Sequence, residues 1–418
     1  GAKTLVIDKV TSGGIRDDLG AIDSRYQKEW GTKIDKFDYI TEMTKIAAGH
    51  IDQRLVRLFC EEHKDTLYVI HTHTQHAQPG IMGHYFLGFL DVLDRCIRRF
   101  KNAYDMTNVS PMGAAVATTS AYPVSRERMA ELLGCDGIIE NAYDSIGNIE
   151  YYSLTASAVS LCAIDLSKTI TDMILWATEE EKMIIFGDGL SSISSIMPQK
   201  RNPIVMEHLR ACVGVAKGLG DTVQTACFRT PYGDICDYED MDSSLFSAFS
   251  MLKRCLKVFD SVMATIDVNK PLLRQRAFES FSVVTEMADE MYRSYGIPFR
   301  KAHGFVSYLV RKARAEGYDL RVVEEKYFAD TYEEYFHEPF TFDFAPIAQS
   351  IDPDHFVKVR EIIGGTGPKA MAAQLASAQR KVQENAAWYD EKTNALAASD
   401  RARLDAVNRI IQAWQQEK

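Results

Sequence analysis

The chain has 418 residues, 46% of them hydrophobic, and a formal net charge of -10, which suits two or three domains around a large buried core. That acidic balance excludes a general nucleic-acid partner, which needs a basic surface to displace counterions, but it leaves room for a local basic pocket. No apolar run reaches the roughly 18 residues that span a bilayer, and the opening GAKTLVIDKV lacks the apolar stretch of a secretory signal.

In chain order, residues 1–50 read as an N-terminal helical part, residues 51–290 as a central bundle of long helices, and residues 291–418 as a C-terminal helical part opened by Gly296-Ile297-Pro298. Convincing strand alternation is confined to short pieces such as Thr66 to His73. Pro79 to about Met106 carries Met82, Tyr85, Phe86, Phe89, Leu93, Ile97 and Phe100 at helical spacing. Tyr151 to Glu181 contains no Gly or Pro, and its apolar residues include Leu154, Ala158, Leu161, Leu166, Ile170, Met173 and Ile174. Two further helices are expected from about Pro203 to Thr225 and from Ser243 to Ile266. At about 1.5 Å per residue these segments run roughly 35–45 Å. Leu161, Cys162, Ile174 and Leu175 spread apolar surface around more than one face, and such a helix needs neighbours on several sides. The expectation is an all-α fold whose long-helix bundle is completed by other copies of the chain. From Lys369 onward the tail reads as a solvated amphipathic helix. The eight cysteines are scattered without a C-x-x-C pair, which suits free thiols in a reducing cytoplasm.

Chemistry concentrates in three stretches. The first is Ser191 to Glu207, SSISSIMPQKRNPIVME. By composition alone a Ser-rich linker is an ordinary loop. A serine becomes a base only where its alkoxide is stabilised by amide N–H groups, a cation or a helix N-terminus. Here Lys200 supplies a cation, and Pro203 suits the first turn of a following helix. The second is His71 to Pro79, HTHTQHAQP, whose histidines invite a zinc reading but have no carboxylate or cysteine partner nearby in sequence. They could instead cap a helix starting near Pro79. The third is Ser110 to Gly134, SPMGAAVATTSAYPVSRERMAELLG, followed by Asn141-Ala142-Tyr143-Asp144-Ser145. A well-packed turn is the alternative there.

At ISSIMPQKRNP the chain resembles the fumarase/aspartase superfamily, whose signature G-S-S-x-M-P-x-K-x-N-P it matches at every specified position except the first, Ile193. The resemblance implies a three-domain, all-α homotetramer with active sites shared between chains, and no cofactor or metal. It makes Ser194 the base that removes a Cβ proton, with Lys200 and Asn202 holding a substrate carboxylate and Ser195 and Met197 beside them. The HTHTQHAQP block is similar to the argininosuccinate lyase branch, which implies a substrate-contacting Thr72-His73 pair with Gln75 close by. Glu207 then orients His73 and fixes its tautomer. The third stretch looks like that branch's S-P-L-G-A-G…Y-P-x-D-R loop and N-S-x-D-A element, which brings in Asn141 and, more weakly, Asp144. Tyr232 joins the substrate contacts by the same resemblance.

The chain departs from the branch in two places. The S-R-N-D segment that grips the succinyl carboxylate is missing, and Ser24-Arg25-Tyr26 does not replace it. On the amine side, D-R-D-F becomes Asn148-Ile149-Glu150-Tyr151, and Q-E-D-K becomes Glu239-Asp240-Met241-Asp242. An arginine and a lysine are thereby exchanged for Ile149 and Asp242. The implied activity is cleavage of an N-substituted aspartate to fumarate and an amine. Argininosuccinate and an aminopolycarboxylate such as ethylenediamine disuccinate are the candidate substrates, and the acidic replacements favour a cationic amine. The competing readings are a sister reaction of adenylosuccinate lyase or muconate-lactonising type, and a crystallin-like structural protein.

Overall fold

The computed structural model describes residues 44, 45, 48, 49, 51–193, 196, 197 and 199–416. Helix α1 (Gln53–Glu62) starts at Asp52, whose carboxylate caps it by accepting from the Arg54 N–H at 2.8 Å. Strands β1 (Leu67–Thr72) and β2 (Gln75–Ile81) form an antiparallel hairpin, in which Val69 faces Pro79 and Tyr68 faces Gly80. A side chain at Gly80 would run into Ile70, with its Cβ 2.5 Å from Ile70 Cγ1. Helix α2 (Met82–Thr107) follows without a break. The helix expected from Pro79 therefore starts three residues later. The histidines lie on a hairpin and cap nothing.

Short strands β3 (Val109–Ser110) and β4 (Gly137–Ile138) pair in parallel around α3 (Arg126–Leu133) and lead to α4 (Ala142–Gly147). Helix α5 (Glu150–Trp176) ends five residues before the expected Glu181. Glu179, Glu180 and Glu181 would oppose the negative end of the helix dipole, and the Thr178 hydroxyl takes up the Leu175 carbonyl at 2.7 Å. Strands β5 (Ile184–Ile185), β6 (Ser192–Ile193) and β7 (Arg201–Asn202) then lead into α6 (Ile204–Cys227) and α7 (Asp237–Thr265). Strand β8 (Asp267–Val268) returns to pair with β5.

Helices α5, α6 and α7 are the bundle. The α5–α6 approach is close because Gly220 lies against α5, where a Cβ would come within 2.4 Å of Ser160 Oγ and 2.9 Å of the Ala156 carbonyl oxygen. The core between them holds Tyr152, Val159, Leu166, Ile170, Leu245, Phe246, Phe249 and Leu252, all fully enclosed. Each such side chain contributes about 1.5–3 kcal/mol by leaving water. Leu161 and Leu175 on α5 and Val215 on α6 stay open to solvent on one chain, at 43%, 48% and 48% exposure. The apolar surface is thus spread around these helices, as their sequence implies.

A second core gathers Met287, Met291, Phe305, Leu309, Phe328, Tyr332 and Ile347. It is built by α9 (Val284–Tyr295), α10 (Phe299–Glu316), α11 (Glu325–Phe336) and α12 (Ala345–Ser350), while α8 (Lys270–Glu279) and α13 (Pro353–Lys358) pack into the first core through Leu273, Ala277, Phe356 and Val357. Helix α14 (Pro368–Gln416) returns to the first core through Met371 and Ala378. No helix among the described residues is long and apolar enough to cross a membrane.

Candidate active site

Thr72, His73, Thr74 and Gln75 form the exposed tip of the β1–β2 hairpin. His73 and Thr74 both take left-handed backbone angles, φ 51° and φ 60°, the combination a two-residue hairpin turn requires. For a β-branched residue such as Thr74 that conformation is strained, and strain of this kind gathers where a structure serves a function. Below the tip, His71 and His76 face each other across the strands with ring centroids 5.0 Å apart. Burial, the neighbouring His71 and the Arg276 guanidinium hold His76 below its ordinary value against the pull of Glu181. Among the described residues no cluster of three possible metal ligands includes a hairpin histidine. The one cluster found is Glu286, Glu290 and His355, where Arg293 and Arg360 already pair with the Glu286 carboxylate.

The Ser191–Glu207 segment closes the same end of the bundle. Strand β6 pairs antiparallel with β7, placing Ser192 opposite Asn202 and Ile193 opposite Arg201. Ile193, where the superfamily signature has glycine, therefore sits on extended backbone that a β-branched residue adopts readily. Arg201 is tied down by Asp188 and by the Phe186 carbonyl. Pro203 is the N-cap of α6 and Glu207 lies in its exposed first turn. Met197 and Lys200 are exposed and Asn202 is half-buried; Lys200 has no ion pair among the described residues. Ser194 and Ser195 lie outside the described residues. Within one chain Glu207 and His73 form neither an ion pair nor a hydrogen bond.

Asn141 and Tyr232 occupy the opposite end. Asn141, itself exposed, caps α4 through Oδ1, which accepts from the N–H groups of Tyr143, at 2.9 Å, and Asp144, at 3.1 Å. The Tyr232 hydroxyl donates to Asp144, the Tyr143 hydroxyl donates to the Tyr232 carbonyl at 3.1 Å, and the two rings lie 5.5 Å apart. The carboxylates of Asp144 and Glu150 help hold the Tyr232 phenol up at about 12, the hydrogen bond to Asp144 contributing most. Between this cluster and the signature segment runs the whole of α5, 27 residues or about 40 Å. One chain cannot close a site that uses both ends.

Arg126 is a residue whose part the sequence did not disclose. Its guanidinium donates to the carbonyls of Met112 (3.1 Å), Ile139 (2.6 Å) and Glu140 (2.8 Å) and to the Ser145 hydroxyl (2.9 Å). It fastens the Ser110–Ser125 loop, which holds Ala115 and Thr119 at φ 54° and 63°, to the segment bearing Asn141. The arginine of the Y-P-x-D-R pattern was the available signal.

One expectation is corrected here. Asp242 does not line an amine pocket. It is 3% exposed, on the inward face of α7, and accepts from the Tyr152 hydroxyl at 2.5 Å. Ile149 is the half-buried N-cap of α5.

A lyase family model matches residues 53–218, and the argininosuccinate lyase C-terminal model matches residues 281–358. Argininosuccinate lyase of Methanococcus maripaludis is 32% identical over 352 residues, 82% of this chain and 70% of the relative. Argininosuccinate lyase 2 of Agrobacterium fabrum is 32% identical over 365 residues, covering 87% and 71%. The chain belongs to the argininosuccinate lyase branch of the fumarase/aspartase superfamily. Among solved structures, a variant of EDDS lyase with bound fumarate superimposes with a TM-score of 0.80 at 25% identity, over 90% of this chain and 76% of that one. A class II fumarase of Schistosoma mansoni shares the fold, with a TM-score of 0.61 at 14% identity over 75% of this chain and 68% of that one. As a member of this branch the chain is an enzyme, a carbon–nitrogen lyase that releases fumarate.

Proposed function

We propose that this lyase cleaves an N-substituted aspartate by β-elimination, in a homotetramer whose sites are each assembled from several chains. The observation that carries the shared site is the separation of its parts. Thr72, His73, Lys200 and Asn202 sit at one end of α5 and Asn141 and Tyr232 at the other, with 27 helical residues between them. Antiparallel packing of two bundles brings opposite ends together, and the exposed Leu161, Leu175 and Val215 supply apolar surface for it.

In the reaction Ser194 takes the Cβ proton, electrons move into the Cα–Cβ double bond, and the C–N bond breaks. Lys200 and Asn202 stabilise the doubly charged aci-carboxylate that precedes fumarate, at about 3–4 kcal/mol per donor. The departing amine needs a proton. His73, oriented by a Glu207 carboxylate from another chain, is placed to give it or to hold the substrate, a contribution of about 10²–10⁴-fold if it acts as the acid. Argininosuccinate and an ethylenediamine-derived disuccinate are the two substrates proposed. A cytoplasmic site of action agrees with eight cysteines that are all free thiols.

The test is to incubate the purified protein with fumarate and a panel of amines and follow loss of fumarate. Addition of at least one amine is the expected result. No addition with any amine, together with no cleavage of either disuccinate, would overturn the reading.

A further inference from the structure

We propose that Glu286, buried at the start of α9, is a positioning residue for the β1–β2 hairpin, which it aims through two struts, Thr285 to Gln78 and Gly364 to His84. The hairpin's task rests on the lyase reading above; the way it is held does not.

A two-stranded hairpin is marginal by itself and depends on what it packs against. Leu67, Tyr68, Val69 and Ile81 bury the base of its strands, but apolar contact is non-directional and does not aim the tip. That tip is exposed, and the left-handed angles of His73 and Thr74 persist only where the surroundings impose them. Among the described residues, one hydrogen bond runs from a hairpin side chain to another element, from Gln78 Nε2 to Thr285 Oγ1 at 3.1 Å. A second tie lies where the hairpin runs into α2: His84 Nε2 donates to the Gly364 carbonyl at 2.7 Å. The two acceptors stand 207 and 280 positions further along the chain.

Glu286 joins these struts. It follows Thr285 in the first turn of α9 and is 0% exposed. Its carboxylate accepts from Arg293 on the same helix and from Arg360 Nη1 at 2.5 Å. Arg360 donates in addition to the Phe356 carbonyl at 2.7 Å, and its guanidinium lies 3.3 Å from the centre of the Phe356 ring. The Arg360 carbonyl accepts the Gly367 N–H at 2.9 Å, which closes a turn. A Cβ on Gly365 would lie 2.1 Å from that carbonyl oxygen, so the turn closes only around glycine. Its far side presents Gly364 to His84, and Gln374 Nε2 holds the next carbonyl, Gly365, at 2.8 Å. A buried carboxylate is tolerated only when paired, and here the pairing fixes the spacing between α9 and the turn. Thr285 and Gly364 are thereby set against one another, and the hairpin is set against both.

The test is amide hydrogen exchange of the full-length protein, read peptide by peptide in a mass spectrometer. In Glu286→Gln, residues 67–81 should exchange about fivefold faster than in the parent or more, while α5 stays within about twofold. The double variant Thr285→Val, His84→Leu changes an exposed and a half-buried residue and should reproduce this, so the test stands even if Glu286→Gln does not fold. His84→Gln keeps a donor for Gly364 and should behave as the parent. With whichever of argininosuccinate and the ethylenediamine-derived disuccinate the parent cleaves, the loosened variants should lose about tenfold or more in kcat, with KM within about threefold. Hairpin exchange that stays parental, or that rises equally along the whole chain, would overturn the proposal. Faster hairpin exchange with a parental kcat would uphold the struts and remove the hairpin from the lyase reading.

Discussion

The Tyr152 hydroxyl donates to Asp242 Oδ1 at 2.5 Å in a part of the bundle where Tyr152 is fully enclosed and Asp242 is 3% exposed. The pair joins α5 to α7 through their buried faces, so the acid is part of the core. Asp242→Ala removes a charged hydrogen-bond acceptor from the buried Tyr152 phenol and should cost about 2–4 kcal/mol of stability, read by urea unfolding. The ratio of kcat/KM for a cationic amine to that for an amino acid should stay as in the parent. A shift of tenfold or more in that ratio would return Asp242 to the amine pocket.

Asp260, on α7, faces Asp52 and Arg54 of α1, and burial pushes its carboxyl up to about 7, with the Asp52 charge adding to the shift. The folded state therefore holds this proton more tightly than the unfolded chain. The stability it lends is fully present below the ordinary carboxyl range and is lost as pH rises through about 7. Asp260→Asn should match the parent near about pH 4 and exceed it near about pH 8 by about 1–2 kcal/mol, after discounting for solvent screening at a half-exposed group. Denaturation at the two pH values checks this, and an equal gap at both would contradict it.

Arg126→Lys replaces a fork that makes four hydrogen bonds with a point charge that can keep one or two of them. The Ser110–Ser125 loop would then lose its fixed relation to Asn141. A fall in kcat/KM of roughly 10²-fold is expected, with a stability cost of about 2–3 kcal/mol. Turnover within threefold of the parent would show that the loop is placed by other contacts.

Ser194→Ala should assemble normally and lose nearly all turnover, with kcat and thermal midpoint as the paired measurements. A second inactive variant, His73→Ala, carries its lesion on the hairpin. Co-refolding the two should restore activity to at most about a quarter of the sites in a shared-site tetramer. Activity within tenfold of the parent for Ser194→Ala alone would move the base elsewhere, with Ser195 first in line.

The bundle was legible because the long helices keep the 3.6-residue period with no interruption. Their ends were less so. Helix α7 begins at Asp237, six residues before the expected Ser243, because the acidic start Asp237-Tyr238-Glu239-Asp240 carries little apolar period while suiting a helix N-terminus. The hairpin at Thr72–Gln75 was hidden for a different reason: its turn uses His73 and Thr74 at positive φ, with none of the Gly or Asn that announces such turns. Asp242 was a misreading that the period could have prevented. It stands three, four and seven residues before Leu245, Phe246 and Phe249, all at most 1% exposed, and so shares their inward face. Motif alignment gave its place along the chain but not its side of the helix. The Asp144–Tyr232 contact spans 88 positions, and no local pattern encodes it.

Asn385, on α14, donates through its side-chain amide to Gln53 Oε1 at 2.9 Å and to Asp94 Oδ1 at 3.1 Å, and its Oδ1 accepts from Lys101 Nζ at 2.7 Å. The first of these contacts joins residues 332 positions apart. A ribosome adding about 5–20 residues per second needs roughly 15–65 s to cover that distance. Through that interval α1 and α2 exist without the helix that later covers them, and Gln53 and Asp94, both buried in the finished protein, stand open. Helices α1 and α2 are thus completed only after α14 has been made, and their polar contacts to it close late in synthesis.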